Sequence, residues 1–284
     1  MPGYTIRMAQ LNLRVRDNVP GELFVDSTCI ECDTCRELAP EVFGGTGQSF
    51  VKRQPAGDAQ WLRALQAVVS CPTASIGAER SAREAARSLP VAIADGVFRC
   101  GYSSDHSYGA QSYFLLRADG NVLVDSPRFA APLVKRLEER GGVRKMFLTH
   151  SDDVADHAAF HERFGCERFL HRDDDHFGME TLLDDNPREI GRGLKVIPVP
   201  GHTRGSCALL VDDEYLFSGD HLWGDEGRLE MGRGVCWYSW PAQKRSLRRL
   251  LDFRFQWVLP GHGRSLQLPA AKMRAELEAL LGRL

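Results

Sequence analysis

The sequence predicts an α+β protein in two unequal parts, a small sulfur-rich head and a larger layered body of strands with helices outside them. Three observations lead there. The 284 residues are 43% hydrophobic and 26% charged, a globular composition with room for one large domain or two unequal ones. Cys29, Cys32, Cys35 and Cys71 fall in the first quarter, whereas all 9 histidines, from His106 to His262, lie in the later part. The polar stretch from Ala78 to Arg87, closed by Pro90, reads as a short polar helix or linker and marks the junction. The chain therefore divides into 1–78, a linker over 79–94, and 95–284.

In the head, Glu22–Val25 and Ser49–Lys52 read as short strands. Asp58 is placed to cap a helix running to Val69, with Trp61, Leu62, Leu65 and Val68 close to one face. Pro72 ends that helix just after Cys71. In the body, Ser112–Arg117 and Asn121–Val124 flank the turn Ala118-Asp119-Gly120 and read as a hairpin. A helix is expected over Ala130–Arg140. Lys145–Leu148 is an apolar strand that delivers Thr149 and His150 at its end. A second helix is expected over Val154–Phe164. Leu194–Val199, Ser206–Val211, Tyr215–Phe217 and Phe255–Leu259 read as strands, and Ala242–Leu251 and Ala270–Leu281 as helices.

Charge and hydropathy exclude several functions. With 36 basic and 38 acidic residues the formal net charge is -2, which argues against a dedicated nucleic-acid binder. No apolar run has the length of a membrane span. The segment Met1 to Arg7 has no apolar core and does not read as a secretory signal. The expectation is a cytoplasmic protein whose eight cysteines are ligands or free thiols. Oligomeric state is left open.

Cys29-x2-Cys32-x2-Cys35, followed later by Cys71-Pro72, is the strongest local signal. Three thiolates at this spacing curl around one iron–sulfur cube, and a fourth from a distant helix end closes the coordination. A structural zinc site is the competing reading, but such sites usually pair their cysteines as two knuckles. The run over 17–78, with Ala39-Pro40-Glu41-Val42-Phe43 and Cys71-Pro72-Thr73-Ala74-Ser75-Ile76, resembles the single-cluster bacterial ferredoxins. The resemblance implies one [4Fe–4S] cluster on Cys29, Cys32, Cys35 and Cys71, either redox-active or structural. Residues 17–45 hold Asp17, Glu22, Asp26, Glu31, Asp33, Glu37 and Glu41 against Arg36 alone. Such an acidic collar would steer a basic redox partner, or is ordinary solvated surface.

Metal-ligand types recur in the body: His150, Asp152, Asp153, Asp156 and His157; then Gly201-His202-Thr203; then Ser218-Gly219-Asp220; then Pro260-Gly261-His262-Gly263. Each group falls at the end of an expected strand. Their order resembles the metallo-β-lactamase superfamily over 95–284, which implies an αββα sandwich with one or two zinc or iron ions between its sheets. The first motif departs from that family's His-x-His-x-Asp-His. A carboxylate replaces the second histidine, and two extra residues precede the Asp-His pair. Asp152 is the first-ranked substitute, with Asp153 as competitor; either is also placed to cap the next helix. The resemblance then implies His150, His202 and Asp152 at one site, Asp156, His157 and His262 at the other, and Asp220 bridging. A carboxylate spans ions about 3.5–4 Å apart. Asp156 doubles as proton acceptor.

The leading function is metal-dependent hydrolysis of a small thioester, ester or related substrate. Gly201-His202-Thr203-Arg204-Gly205-Ser206 looks more like the glyoxalase II side of the superfamily. Only 22 residues follow His262, too few for that enzyme's helical substrate domain. The alternatives are an iron oxidoreductase fed by the head, as the carboxylate substitution in flavodiiron proteins suggests, and a redox-sensing module without catalysis. Tyr102, His106, Arg204, Arg233, Trp237 and Tyr238 are candidates for the pocket mouth. His171 and His176, flanking Arg172–Asp175, read as a solvated loop.

Overall fold

The computed structural model describes residues 8–284. In the head, Phe24–Val25 pairs antiparallel with Ile76–Gly77, and Phe43–Gly44 with Phe50–Val51. The buried Asn18 side chain ties these ribbons together. Its amide donates to the carbonyls of Val15 and Val25, and its Oδ1 accepts from the N–H groups of Val25 and Val51. The helix Gly57–Ser70 buries Trp61, Ala64, Leu65 and Ala67, as its apolar period requires. Asp58 is not its cap. Ala56 precedes the first turn with no side-chain cap bond, and its own N–H is taken by Gln60 Oε1 at 2.8 Å.

The body is two facing sheets with helices outside. One sheet has seven strands in the order Thr181–Leu183, Glu167–His171, Lys145–Phe147, Val122–Val124, Tyr113–Leu115, Val97–Arg99, Val91–Ala94. The other has six, in the order Arg188–Gly191, Leu194–Pro198, Cys207–Val211, Tyr215–Gly219, Trp257–Pro260, Leu266–Gln267. Tyr113, Val122, Val124 and Phe147 of the first meet Val196, Leu209, Phe217 and Leu259 of the second in one inter-sheet core. Along Cys207–Val211 all five residues are buried. Leu209 faces that core, while Ala208 and Leu210 face the helices Trp240–Arg249 and Ala270–Arg283. A strand covered on both faces reads as a continuous apolar run, which is why it was visible in sequence. Leu133, Leu137 and Phe160 of the helices Ala131–Glu139 and His157–Phe164 cover the first sheet.

Two local expectations are corrected. Within 79–94 the short helix is present as Arg83–Ser88, but Val91–Ala94 is not linker: it is the edge strand of the larger sheet. The helix expected from Val154 begins at His157. Ser151–Asp153 forms a separate 3-10 turn, and Ala155 adopts φ 30°, which interrupts any helix through it. Asp152 and Asp153 are therefore not the cap of that helix.

Head and body are in direct contact. Glu37 receives the guanidinium of Arg99 at 2.5 Å and lies 3.4 Å from the Ser265 N–H. Thr34 Oγ1 donates to the Gly109 carbonyl at 3.1 Å. Among the described residues, no helix is long and apolar enough to cross a membrane.

Candidate metal centre

The strands place the ligand-type residues on one edge. Tyr215–Gly219 and Trp257–Pro260 run parallel with Gly219 opposite Pro260, so Asp220 and His262 emerge side by side. His150 follows Lys145–Phe147, and His202 follows Leu194–Pro198. His150 Nε2 lies 3.7 Å from Asp220 Oδ2 and 4.0 Å from Asp152 Oδ2. His202 Nε2 lies 3.6 Å and 3.3 Å from the same two oxygens. Ligands about 2.0–2.2 Å from one ion would stand roughly 3.3–3.6 Å apart, close to the spacing of Asp220 Oδ2 from the two imidazoles; His150, His202 and Asp220 form one group, with Asp152 beside it. Asp153, Asp220 and His262 form a second group, with His262 Nδ1 at 2.9 Å from Asp220 Oδ1. Asp220 belongs to both groups.

The surroundings prepare these atoms for a cation. Thr149 Oγ1 donates to Asp125 at 3.0 Å, so it accepts from Nδ1–H of His150 at 3.0 Å. That tautomer leaves the Nε2 lone pair free, and Nε2 has no hydrogen-bond partner. Burial pushes His150 down to about 4, keeping it neutral. Asp153 is buried, and neither carboxylate oxygen has a hydrogen-bond partner. Burial, then the Asp220 charge, raises its carboxyl well above the usual range. For His262, burial opposes the charge, but the neighbouring Asp220 carboxylate wins and lifts the imidazole to about 10. Asp220 in turn is pushed up by burial but held below the usual carboxylate range by His262, His150 and His202 together. Gly261 makes the approach feasible: a Cβ there would sit 2.6 Å from Asp153 Oδ2 and 2.8 Å from Asp220 Oδ1.

Asp156 and His157 are not brought into this arrangement. Asp156 Oδ2 accepts the Phe129 N–H at 2.7 Å. His157 Nδ1 lies 3.0 Å from the Arg168 guanidinium, which Glu180 pins in place. Burial and then Arg168 hold His157 below its ordinary pKa. The turn at Ala155 carries the pair away; Asp152 stands beside His150 and His202 instead, and Asp153 beside Asp220 and His262. The loop over 171–176 also departs from expectation, because Asp174 is only 4% exposed. It accepts from the Ser151 N–H at 3.1 Å, the Gly205 N–H at 2.8 Å and the Thr203 hydroxyl at 2.5 Å, tying the loop after His150 to the loop after His202. Asp125 and Asp174 escaped the sequence reading because neither adjoins a ligand motif. The only available signal was Asp125 at the end of an apolar strand.

A cavity of about 630 Å³ opens onto Asp152, Asp153, His202, Asp220 and His262. Trp223, Val235, Trp237 and Tyr108 supply apolar wall, and Glu31, Cys32 and Asp33 of the head complete it. Among the described residues no lysine or arginine lines it. Of the expected mouth residues, Trp237 is in the lining and Tyr102 is buried with its hydroxyl on the Ala86 carbonyl. Arg204 pairs with Asp173 at 3.0 Å. His106, Arg233 and Tyr238 are exposed outside the lining.

In the head, Cys29, Cys32, Cys35 and Cys71 are unbridged and line one small cavity. Glu31 and Asp33, at φ 64° and 65°, bend the chain on either side of Cys32. Cys71 Sγ accepts the Ser75 N–H at 3.3 Å. Burial pushes the Cys32 thiol up to about 11, with Cys71 and Cys29 adding to it. Four thiols around one small cavity, Cys35 buried and the other three half-buried, suit a metal cluster, which would draw off their protons. The acidic collar is mostly spent inside the molecule. Glu22 pairs with Arg80, Asp33 with Arg36, Glu37 with Arg99 and Glu41 with Arg63, while Asp26 is buried.

Residues 25–78 match the family model described as 4Fe-4S single cluster domain of Ferredoxin I. The body is similar in structure to DIM-1 metallo-β-lactamase exposed to ceftazidime, with a TM-score of 0.55 and 16% identity over 68% of this chain and 95% of that one. A metallo-β-lactamase from Hirschia baltica gives 0.53 and 18%, over 67% and 96%. The body has the metallo-β-lactamase fold. At these identities the likeness concerns fold alone. Among curated proteins, hydroxyacylglutathione hydrolase of Rhizobium etli is 35% identical over 147 residues, 44% of this chain and 57% of that protein. The β-lactamase-like protein 2 homolog of Drosophila melanogaster is 32% identical over 83 residues, 29% of this chain and 26% of that one. The chain thus spans about half or less of the length of these curated relatives. It joins a ferredoxin-like stretch to a metallo-β-lactamase-fold body.

Two expectations follow for metal content. His157→Ala should keep the metal-to-protein ratio of the native body in mass spectrometry, whereas Asp153→Asn should lose one ion; the reverse pattern would restore the Asp-His pair as ligands. Zinc must displace the proton that metal-free His262 holds up to about 10. Affinity should therefore climb with pH through the neutral range, with proton release seen by calorimetry in buffers of different ionisation enthalpy.

Proposed function

We propose that the body is a metal-dependent hydrolase of small thioesters or esters. The observation that carries this reading is the convergence of His150 Nε2, His202 Nε2 and Asp220 Oδ2, with Asp152 Oδ2 at 4.0 Å and 3.3 Å from the two imidazole nitrogens. In the proposal these hold one zinc or iron ion, and Asp153, Asp220 and His262 hold a second. Bound ions would lower the pKa of a water to about 7 and polarise the substrate carbonyl. Asp220 is the shared ligand, and Asp153 takes the ligand and proton-acceptor role expected of Asp156. The Asp125–Thr149 pair keeps the His150 tautomer, and Asp174 holds the two histidine loops in register. The head is proposed to carry one [4Fe–4S] cluster on Cys29, Cys32, Cys35 and Cys71.

The pocket also favours a substrate class. Its apolar walls accept an aromatic or branched acyl group, and Glu31 stands at its head-side wall, beside an Asp33 that is already paired with Arg36. An acylglutathione, which carries two carboxylates, meets like charge there. An uncharged or cationic leaving group does not.

The test uses the full chain loaded with zinc and no reductant. A neutral phenylacetyl thioester should be cleaved with kcat/KM about tenfold or more above the matching acylglutathione, a difference of about 1.4 kcal/mol. Glu31→Gln should narrow that ratio. Chelation should abolish turnover and zinc should restore it. Unchanged turnover in Asp220→Asn would refute the hydrolytic reading, and preference for the acylglutathione would refute the substrate class. For the cluster, anaerobic iron and sulfide assay should return about four of each from the head. Zinc without sulfide in the cysteine cradle would contradict it.

A further inference from the structure

The cysteine cradle and the metal centre share a wall. Cys32 lines the same cavity as Asp153, Asp220 and His262. Between them runs the Tyr108–Gly109 peptide. On its head side Gly109 packs against Cys32 so closely that a Cβ at 109 would lie 2.5 Å from Cys32 Cβ and 2.7 Å from its Sγ. Gly109 also sits at φ 85°, so both its space and its conformation call for glycine. The Thr34 hydroxyl clamps this contact, donating to the Gly109 carbonyl at 3.1 Å and lying 3.5 Å from Cys32 Sγ. On the body side the Tyr108 carbonyl faces His262 Nε2 at 3.3 Å, and Nδ1 of the same ring faces Asp220 at 2.9 Å. One peptide unit, one hydrogen bond and one van der Waals contact therefore span from a cradle sulfur to a body ligand.

Hydrolysis makes no use of that arrangement, because it has no electron demand. A cluster that only stiffened the head would have no need to face the pocket. The ligand set is also rich in carboxylates, with Asp152, Asp153 and Asp220 beside three imidazoles, and such sites accept iron as readily as zinc.

We propose that the Tyr108–Gly109 peptide is an electron bridge, through which the head passes single electrons to an iron ion held by Asp153, Asp220 and His262. The exchange moves one electron: the cluster goes from its reduced to its oxidised state and a ferric ion becomes ferrous. No covalent bond forms or breaks. A soluble low-potential one-electron donor re-reduces the cluster. This activity goes beyond the hydrolytic reading, whose test uses zinc and no reductant, so either can fail without the other.

The experiment uses the full chain with the cluster intact and ferric iron in the body, reduced anaerobically by a photoexcited deazaflavin and followed by freeze-quench electron paramagnetic resonance. In the native protein the ferric signal should fall while the cluster returns to its oxidised state. With zinc in the body, the reduced-cluster signal should persist. Thr34→Val removes the clamp and should slow the exchange about tenfold at unchanged iron content. Gly109→Ala should slow it further, and Thr34→Val carries the test if the alanine variant does not fold. Cys32→Ala, lacking the cluster, should leave the ferric ion unreduced. A native reduced-cluster signal that persists beside ferric iron as long as it does beside zinc would overturn the proposal. So would exchange unchanged in Thr34→Val and Gly109→Ala, or a body that takes zinc and rejects iron.

Discussion

Three carboxylates, Asp152, Asp153 and Asp220, meet at one edge of the sandwich, and two of them are nearly or fully enclosed. Removing such charges from water is costly unless something compensates them. The protein's own groups compensate only part of it. His262 keeps a proton far above its ordinary range, and Asp153 is driven toward its neutral form. Divalent ions would supply the remaining positive charge, and the rest of the structure holds these carboxylates together.

Much of the fold serves that end. Parallel pairing of Tyr215–Gly219 with Trp257–Pro260 sets Asp220 beside His262, and Gly261 leaves space where any side chain would part Asp153 from Asp220. Thr149 and Asp125 fix one imidazole from behind, while Asp174 gathers N–H and hydroxyl donors from the loops after His150 and His202. These groups touch no substrate, but the donor spacing depends on them. The head adds a boundary. By packing Cys32 on Gly109 and lining the cavity with Glu31, Cys32 and Asp33, it gives the sandwich edge an additional wall.

The sandwich was legible because its central strands are buried on both faces, and runs such as Leu194–Pro198 and Cys207–Val211 have little other use. His150, His202, Asp220 and His262 were legible because each terminates such a strand. Asp156 and His157 were misread because their position hangs on Ala155, a non-glycine residue in the left-handed region that only tertiary packing selects. Asp174 was hidden in the run Arg172–Asp175, since a charged stretch carries no sign of the donors that will close on it. The pairing of the acidic collar was hidden for the same reason: its partners Arg63, Arg80 and Arg99 lie far along the chain. The contact of Cys32 with Gly109 joins two separately folding patterns, and no periodicity in either one encodes it.

Crystals of the full chain, grown anaerobically with zinc and iron supplied, would test the centre most directly through anomalous scattering at both metal edges. The account expects one ion within about 2.0–2.2 Å of His150 Nε2, His202 Nε2, Asp152 and Asp220. It expects a second against Asp153, Asp220 and His262. An ion held by Asp156 and His157, or density showing no metal beside Asp220, would contradict it.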